Sequence, residues 1–409
     1  MMRLPSSPFF TTRADRIELA RRNYFEDGTM PTGMVSDSVL QSWARCQRLH
    51  TSPSRDIEFA PVSASRAQLA LQKNRQLRDV WSQELPELEA MLATTSCAAM
   101  LTDSTGVLIG STCAGRAHEN IMPTATRIGV SLSEEAVGTT APGVVARTGQ
   151  PVTVDGGEHF FEHVKPMHCA AAPIRDIYGR LAGVLDISSE GIPFSFDAAA
   201  VVGIYSGSIE NRLLIAQSRQ HLVIRFQVTS TLLDSPTVGL VGIDLSGRLA
   251  WCNGAACKLL GLASFEMQSQ DAELALGNTF AQLASLPESG AAPLRFPNGL
   301  LVWARAEMHA PDGHRKLISG CAINASPESL PRSPSQLALP VHEKSAELVV
   351  SSTDDQVPGV ASDEASLREL DLDVIERALD QCGGNVSAVA KKLAVSRGLI
   401  YRRLKLRDA

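Results

Sequence analysis

Residues 383–405 of the chain read GGNVSAVAKKLAVSRGLIYRRLK. The pair Gly383-Gly384 ends a preceding helix, because glycine weakens a helix and favours its C-terminal turn. Asn385 and Ser396 can each cap a following helix, since their side-chain oxygens accept free backbone N–H groups. Only Ala394-Val395 is left between these two helices. The stretch therefore predicts two short helices joined by a tight turn, a helix-turn-helix.

An amphipathic helix precedes this stretch and completes an all-α unit over residues 367–409. Its apolar residues recur at steps of three and four, which gives the helix one buried stripe. The stripe consists of Leu367, Leu370, Val374, Ile375, Ala378, Leu379 and Cys382. The last helix of the unit turns Ile400 and Leu404 inward and its basic residues outward.

The basic residues of the last helix point to double-stranded DNA as a partner. From Lys391 onward the chain has seven basic residues and one acidic residue, although its net charge is -6. The second helix of such a pair lies in the major groove and contacts bases from its N-terminal part. There Arg397 can bond guanine bidentately and Gly398 lets the backbone approach. The residues suited to phosphate contacts are Arg402, Arg403 and Lys405. A merely solvated basic face is the alternative reading.

The segment resembles the Fis-type helix-turn-helix that closes bacterial enhancer-binding regulators. The residues that match are Asn385, Ala390, Leu393, Ser396, Arg397, Tyr401, Arg402, Leu404 and Lys405. The chain departs from the pattern at Val389, at Ala394 in place of the turn glycine, and at Leu399 in place of a threonine. The resemblance implies DNA contacts from Asn385, Ser387, Ser396, Arg397, Gly398, Leu399, Tyr401, Arg402, Arg403 and Lys405. The departures predict an operator sequence different from that of relatives.

Length and composition are those of a multidomain globular protein. The chain has 409 residues, of which 44% are apolar and 20% charged, which is ordinary for soluble domains. No apolar run reaches the length of a transmembrane helix, and the N-terminus lacks a signal-peptide pattern. The eight cysteines include no C-x-x-C pair, so free thiols are expected. We expect a cytoplasmic protein with no membrane partner.

Residues 1–89 have a helical pattern. The letters ARRNYFEDG at 20–28 and SWARC at 42–46 resemble the N-terminal region of acetoin-catabolism-type activators, which carry an "SW-x-R" element before their sensor. An amphipathic helix that buries Trp43 accounts for the same residues.

Residues 90–215 alternate between short strands and turns. The predicted strands are Ala98–Leu101, Val107–Ile109, Val152–Val154, Cys169–Ile174 and Leu181–Ile187, with turns at Asp103–Gly106 and Asp176–Gly179. The block is similar to the GAF domain of the same regulators. The similarity runs through GVSLSEE (129–135), GTTAPG (138–143), EHF (158–160), API (172–174) and GVLDI (183–187).

The resemblance implies a small-molecule effector held in an apolar pocket over one sheet face. The candidate effector contacts are Thr139, Thr140, Glu158, His159 and His168. The same residues have a structural reading, in which the threonine pair caps the helix beginning near Pro142 and Glu158-His159 fixes a loop. Both readings stay open at this stage. A metal site is not expected from His159, His163, His168 and Cys169, since their spacing matches no closed site, and no cofactor is expected.

Three further segments follow the GAF-like sensor domain. A helical run from Phe196 to Leu233 predicts a signalling helix at 216–233 that forms a dimer, or else simply packs on the sheet. Residues 234–325 resemble a PAS domain, with strands at Val238–Asp244, Arg248–Trp251, Leu300–Met308 and Leu317–Ala322. The matching residues are Gly239, Asp244, Gly247, Asn253, Ala255, Leu260 and Gly261. Residues 326–366 contain five prolines and predict a flexible linker.

The fold class predicted is multidomain α+β, with a GAF-like α/β sensor, a PAS-like α+β domain and a C-terminal all-α Fis-type helix-turn-helix. Regulators of this family place an ATPase between sensor and helix-turn-helix, and its phosphate-binding loop needs a Gly-Lys pair. No Gly-Lys pair occurs in the sequence, so we expect no ATPase module here.

The sequence therefore predicts an effector-controlled transcriptional regulator that binds DNA as a homodimer and acts through RNA polymerase or a full-length sigma-54 activator. An accessory protein without DNA binding is the alternative. No enzyme activity is expected, because the neighbours Glu134-Glu135 and Glu158-His159 seldom face one site and no nucleophile accompanies them.

Overall fold

A computed structural model of the protein describes residues 12–113, 115–116, 118–262, 270–309 and 315–316. The chain divides into two units, Met1–Asn324 and Ala325–Ala409, and every described residue belongs to the first. The predicted linker and the predicted helix-turn-helix, with all ten of its DNA-contacting residues, lie outside the described residues. The helices are α1 (Arg13–Phe25), α2 (Asp37–Leu49), α3 (Ala64–Lys73), α4 (Arg75–Leu92), α5 (Met122–Ala125), α6 (Glu134–Val137), α7 (Ala141–Thr148), α8 (Ala198–Gln217), α9 (Gly254–Leu260), α10 (Ala272–Leu276) and α11 (Phe280–Ala284).

Two antiparallel sheets organise the described residues. The strands are β1 (Cys97–Asp103), β2 (Leu108–Ser111), β3 (Val152–Asp155), β4 (Met167–Arg175), β5 (Leu181–Glu190), β6 (Leu222–Gln227), β7 (Gly239–Ile243), β8 (Leu249–Cys252), β9 (Ala292–Arg295), β10 (Leu301–His309) and β11 (Arg315–Lys316). The first sheet has the order β2-β1-β5-β4-β3, and the second has the order β11-β10-β6-β7-β8 with β9 also paired to β10.

The first sheet confirms the five strands predicted between residues 98 and 187. The predicted turn before β2 is also present, because the Gly106 N–H donates to the Asp103 carbonyl (3.1 Å) and the Val107 N–H donates to the Asp103 carboxylate (2.9 Å). Strand β5 lies at the centre of the sheet, between β1 and β4. Its side chains alternate between the two faces, so both faces need a covering layer.

Helices cover both faces of the first sheet. Leu185 and Ile187 of β5 face a core shared with α4 and α8. Val184, two residues before Asp186, faces the other core, which includes Ile17 of α1 and Trp43 of α2. The sheet is therefore the middle layer of three.

The N-terminal helices are part of this core and do not form a region of their own. Ile17 and Trp43 are buried in the same cluster as Met100 of β1, and Trp81 of α4 is buried with Leu101 on the opposite face. The boundary predicted at residues 89 and 90 therefore does not separate two cores. The amphipathic pattern of the helices was read correctly, but periodicity alone does not say which surface a stripe covers.

The predicted signalling helix at 216–233 is wrong. Helix α8 ends at Gln217, where the Ser218 hydroxyl donates to the Leu214 carbonyl (2.8 Å). Residues Leu222–Gln227 form β6, the central strand of the second sheet. A strand covered on both faces has no polar alternation, so its apolar run resembles a helix continuation. The stripe of α8 packs on β4 and α4, as the simpler alternative proposed.

The second sheet begins at β6, before the predicted domain start at residue 234. The predicted strands at 238–244, 248–251 and 300–308 correspond to β7, β8 and β10, while the one at 317–322 lies outside the described residues. Helix α9 follows Asn253, whose side-chain oxygen accepts from the Ala256 N–H at the start of the helix (2.8 Å).

Asn253 also joins α8 to the second sheet. Its side-chain NH₂ donates to the Asn211 side-chain oxygen on α8 (2.7 Å) and to the Val238 carbonyl (2.8 Å). Its side-chain oxygen also accepts from the Leu240 N–H (3.0 Å). Both asparagines are buried, so these hydrogen bonds are costly to lose.

We expect Asn253→Ala to lower the free energy of unfolding by about 2 kcal/mol, because it removes a helix cap and leaves buried polar groups unpaired. Urea unfolding followed by fluorescence measures the loss. Asn298→Ala is the matched control, since the exposed Asn298 side chain donates to the Leu259 carbonyl and accepts from the Leu300 N–H at the surface. Equal losses in the two variants would contradict the stabilising role of the buried Asn253 hydrogen bonds.

Candidate functional site

A small cavity of about 30 Å³, lined by buried residues, lies on the face of the first sheet opposite α8. Its walls are mostly apolar and include Met100 of β1, Ile121 and Met167. Its polar lining residues are Thr140, His159, Cys169, Asp186 and Ser188. The cavity holds about the volume of one water molecule.

Asp186 is the most unusual residue of this cavity. Strand alternation turns it to the same face as Val184 and away from Leu185, and its side chain is fully buried. One carboxylate oxygen, Oδ2, accepts from the Ser188 hydroxyl (2.6 Å). The other, Oδ1, has no hydrogen-bond partner among the described residues. Burial raises the pKa of Asp186 to about 7, because a low-polarity interior disfavours the charged form.

His159 and Cys169 form a second polar pair in the cavity wall. The His159 Nδ1–H donates to the Gly156 carbonyl (3.0 Å), which leaves Nε2 as the acceptor. Nε2 lies 3.5 Å from the Cys169 Sγ, whose thiol donates to it. Burial lowers the pKa of His159 to about 4 and raises the pKa of Cys169. The imidazole and the thiol are therefore both neutral.

The two predicted threonines have different surroundings. Thr140 lines the cavity, but it also caps α7, since its Oγ1 accepts from the Gly143 N–H (3.2 Å) and donates to the Leu132 carbonyl (3.0 Å). Thr139 is buried outside the cavity, with its hydroxyl 2.8 Å from that of Ser42. The cap that the sequence suggested is formed by Thr140.

Glu158 holds a loop and does not reach the cavity lining. Its carboxylate accepts from the Asp155 N–H (2.9 Å) and from the Arg13 guanidinium (3.3 Å). Burial raises the pKa of Glu158 to about 7. Its backbone carbonyl accepts from the Trp43 indole N–H (2.7 Å), so the loop is tied to α1 and α2 together.

His168 lines a separate, open groove of about 580 Å³ between α1, β3 and the start of α8. Its Nδ1 lies 3.3 Å from the Asp155 carboxylate, which also pairs with Arg13 (2.7 Å). The side chain of Phe194 forms part of the same wall. The five predicted effector contacts thus divide between the cavity (Thr140 and His159), the groove (His168) and structural positions (Thr139 and Glu158).

The "SW-x-R" element attaches α2 to Glu134, the first residue of α6. Glu134 lies between Leu132 and Thr140, which line the cavity. The Ser42 hydroxyl donates to the Glu134 carboxylate (2.6 Å), and the Arg45 guanidinium donates twice to it (2.6 and 2.7 Å). Trp43 is fully buried. The next residue, Glu135, is half exposed and pairs with Arg147 (3.6 Å). Glu134 and Glu135 therefore face different surroundings.

The histidines and the cysteine considered for a metal are dispersed. His159 and Cys169 lie in the cavity wall, His168 lines the groove, and His163 is exposed on a different turn. Within the described ranges, no three His, Cys, Asp or Glu side chains are grouped as metal ligands.

Asp186 and Ser188 were missed as site residues by sequence reasoning. The signal was present in GVLDIS (183–188), where one carboxylate interrupts an otherwise apolar strand. A charged residue is seldom fully buried without a partner, so an aspartate at a central strand position is itself an indication of a site.

We expect Asp186→Asn to stabilise the fold increasingly as the pH rises from 4 to 7. The folded-state pKa of Asp186 is raised to about 7, so the wild-type protein loses stability over this range because the aspartate ionises in the unfolded chain while the buried acid stays protonated, and asparagine does not titrate. Above pH 7 the variant should exceed the wild type by about 2 kcal/mol more than at pH 5. Urea unfolding at pH 5 and pH 8 measures the change.

Asp79→Asn serves as the control for this pH series, since Asp79 is exposed on α4. Its difference from the wild type should be the same at both pH values. A constant difference for Asp186→Asn as well would show that the Asp186 carboxyl is ionised at both pH values.

Membrane-spanning candidates are absent from the described helices, none of which is both long and apolar enough.

Two protein families match separate parts of the chain. Residues 12–199 match the family described as "MimR, N-terminal domain", which spans α1 to the first turn of α8 and includes the cavity. Residues 366–405 match "Bacterial regulatory protein, Fis family". The first match treats the N-terminal helices and the first sheet as one domain, in agreement with their shared core.

The similar proteins of known role are transcriptional regulators. The acetoin catabolism regulatory protein of Cupriavidus necator is 28% identical over 233 residues, which cover 56% of this chain and 35% of that protein. The acetoin dehydrogenase operon activator AcoR of Bacillus subtilis is 30% identical over 174 residues, 41% of this chain and 28% of AcoR. The propane 2-monooxygenase operon activator MimR of Mycolicibacterium smegmatis is 28% identical over 199 residues, 47% and 32% of the two chains.

The chain spans about a third of the length of these relatives. It has a MimR-type N-terminal domain and a Fis-type helix-turn-helix segment, and it is homologous to AcoR- and MimR-type transcriptional activators.

Proposed function

We propose that the protein is a sequence-specific DNA-binding transcriptional regulator, controlled by a small-molecule effector in the domain built on the first sheet and working without an ATPase. The observation that carries the proposal is the occurrence, in one chain, of a Fis-family segment at 366–405 and a regulator-type N-terminal domain with a small cavity lined by buried residues. The first supplies DNA binding, and the second supplies a place for a signal.

The DNA-binding part rests on the basic residues of the predicted last helix. Arg397 and Gly398 read base edges in the major groove, and the other basic residues of the helix contact phosphates. A homodimer would place two such helices on a two-fold symmetric operator with half-sites about one helical turn apart. Affinity would then fall steeply with salt, because phosphate contacts release counterions.

The sensing part rests on the first sheet and its covering helices. We assign this domain as GAF-like and the domain on the second sheet as PAS-like. Strand order β2-β1-β5-β4-β3 with helices on both faces supports the first assignment, and α9 with its Asn253 cap supports the second. The relatives are named for acetoin and propane 2-monooxygenase, which favours a small molecule as the effector here.

The absence of an ATPase rests on the sequence between the two families. Without a Gly-Lys pair in all 409 residues, no phosphate-binding loop of the usual type is present. The space between residues 199 and 366 is also occupied by the second sheet over most of its described length. The protein would therefore repress, or act by contact with RNA polymerase or a full-length sigma-54 activator.

The alternative function is an accessory protein that modulates such an activator without binding DNA. RNA sequencing of cells that carry the wild type, a deletion or the double variant Arg397→Ala/Arg402→Ala distinguishes the two. The proposal predicts that the double variant reproduces the transcript changes of the deletion at unchanged protein abundance.

A charge-matched control is Arg75→Ala/Arg78→Ala, which removes two exposed arginines from α4. That control should leave the transcripts as in the wild type. Wild-type transcripts in cells with the Arg397 and Arg402 substitutions would favour the accessory role and reject DNA binding as the mode of action.

A further inference from the structure

We propose that the small cavity on the first sheet binds a small uncharged molecule that bears a hydroxyl group, with the carboxylate of Asp186 accepting a hydrogen bond from that hydroxyl. This inference rests on the proposed effector control and identifies its site and the chemical class of its ligand.

The hydrogen bonds inside the cavity leave one position for a ligand. The Ser188 hydroxyl donates to Asp186 Oδ2 (2.6 Å), and the Thr140 hydroxyl donates to the Leu132 carbonyl (3.0 Å). Both nitrogens of His159 are engaged, one by the Gly156 carbonyl and the other by the Cys169 thiol. Asp186 Oδ1, fully buried, has no partner in the described part of the chain. A ligand donor aimed at Oδ1 would satisfy it.

The number of free acceptors selects a hydroxyl over other donors. An alcohol brings one O–H donor, which matches Oδ1 alone. An ammonium group brings three N–H donors and a charge that must leave water, and most of those donors would find no acceptor. A ketone brings no donor at all.

The charge of the cavity rejects anionic ligands. No arginine or lysine lines it, so a carboxylate or phosphate would be buried beside Asp186 without a counter-ion. The remaining walls are apolar, with Met100, Ile121 and Met167 among them. A ligand with a short hydrocarbon body and one polar end fits these walls best.

The methionines give the cavity room to adapt. At about 30 Å³ it is smaller than any organic ligand, so binding requires side chains to move. Met100 lies directly opposite Asp186 in the pairing of β1 with β5, and Met167 is likewise buried. Methionine is unbranched and changes conformation easily, which suits a wall that opens around a small ligand.

Calorimetric titration of the full-length protein with three molecules of one shape tests the inference. The probes are butan-2-ol, butan-2-one and butan-2-amine, which share a carbon skeleton and differ in their polar group. At pH 8.5, where the carboxylate form of Asp186 prevails, we expect butan-2-ol to bind at one site per chain, and the ketone and the amine to bind at least tenfold more weakly. Equal binding of all three would overturn the hydroxyl assignment.

Two cavity variants and one groove variant locate the site. Asp186→Asn should weaken butan-2-ol binding about tenfold, since a hydrogen bond to a charged acceptor is replaced by a weaker one to a neutral amide. Ala125→Val, which narrows the cavity from α5, should also weaken it. His168→Ala alters only the open groove and should leave binding unchanged. Near-ultraviolet circular dichroism verifies that each variant is folded.

The outcomes separate this inference from the proposed function. Binding that survives Asp186→Asn and Ala125→Val but disappears in His168→Ala would move the site to the groove and overturn the inference. Failure of all three probes to bind, with operator binding intact, would overturn the cavity as a ligand site and leave the DNA-binding regulator standing. Binding at Asp186 without any effect on DNA affinity would support the site and reject effector control.

Discussion

Glu134→Ala should lower the free energy of unfolding by about 3–5 kcal/mol, the loss that follows when one partner of a buried ion pair is removed. The Glu134 side chain is fully buried and accepts from Arg45 and Ser42 at 2.6–2.7 Å. Alanine leaves the Arg45 guanidinium, 21% exposed, without its carboxylate. Urea unfolding of both proteins at neutral pH measures the change.

Glu135→Ala is the matched control for this prediction. It removes the same chemical group from the adjacent residue, where the side chain is 50% exposed and pairs at 3.6 Å with an equally exposed Arg147. Exposed pairs contribute about 0–1 kcal/mol, so this variant should unfold almost like the wild type. A loss at Glu134 no larger than that at Glu135 would mean that α2 is not held by this ion pair.

Trp43→Ala should lower the free energy of unfolding by about 3–5 kcal/mol, the usual range for a fully buried tryptophan. The indole packs against the rings of Tyr24 and Phe25, with centroids 5.4 and 5.1 Å away. Its N–H donates to the Glu158 carbonyl. The substitution therefore creates a void where α1, α2 and the loop at Glu158 meet, and thermal unfolding should show a lower midpoint.

Two further substitutions divide this effect into packing and hydrogen bonding. Trp43→Phe keeps an aromatic ring and loses only the N–H, so we expect a loss of about 1–3 kcal/mol from the unpaired buried carbonyl. Trp303→Ala removes a tryptophan that is 38% exposed and should cost less than Trp43→Ala. The reverse order would show that the N-terminal helices contribute little to the core.

The strands of the first sheet were predictable from sequence because turn residues mark their ends. Asp103 and Gly106 define one turn and Asp176 and Gly179 another, and the strands on either side are short and apolar. The helix cap was equally direct: Thr140 caps α7, as its side chain allows. These turns and caps depend on residues that are close together in the chain, so they can be predicted from a single sequence.

The relation between elements was not predictable in the same way. The apolar stripe of α2 predicts that Trp43 is buried, but it does not identify the surface on which α2 packs. The contacts of α2 with Glu134 and Glu158 join residues about a hundred positions apart in the chain. The error at β6 has a related cause, since a central strand and a helix continuation are both apolar. Only the pairing of β6 with β7 and β10 in the folded protein distinguishes the strand from a helix continuation.

The five candidate effector contacts lie in different places in the structure. Thr140 and His159 line the small cavity, Thr139 and Glu158 make structural hydrogen bonds, and His168 lines the separate groove. The sequence resemblance indicated the segment of chain that contains the cavity, whereas the identity of the unpartnered group, Asp186, required the geometry of the strand. Alternation along β5 turns that one carboxylate into the cavity.

Sequencing of genomic fragments retained by the purified protein at a fixed salt concentration, in parallel with Arg397→Ala/Arg402→Ala, tests the central claim most directly. We predict a two-fold symmetric sequence motif with half-sites about one helical turn apart, enriched by the wild type and lost in the double variant. Because base contacts carry specificity and phosphate contacts carry affinity, the variant should also retain less DNA in total. Enrichment of no sequence by the wild type, or the same enrichment by both proteins, would contradict the account.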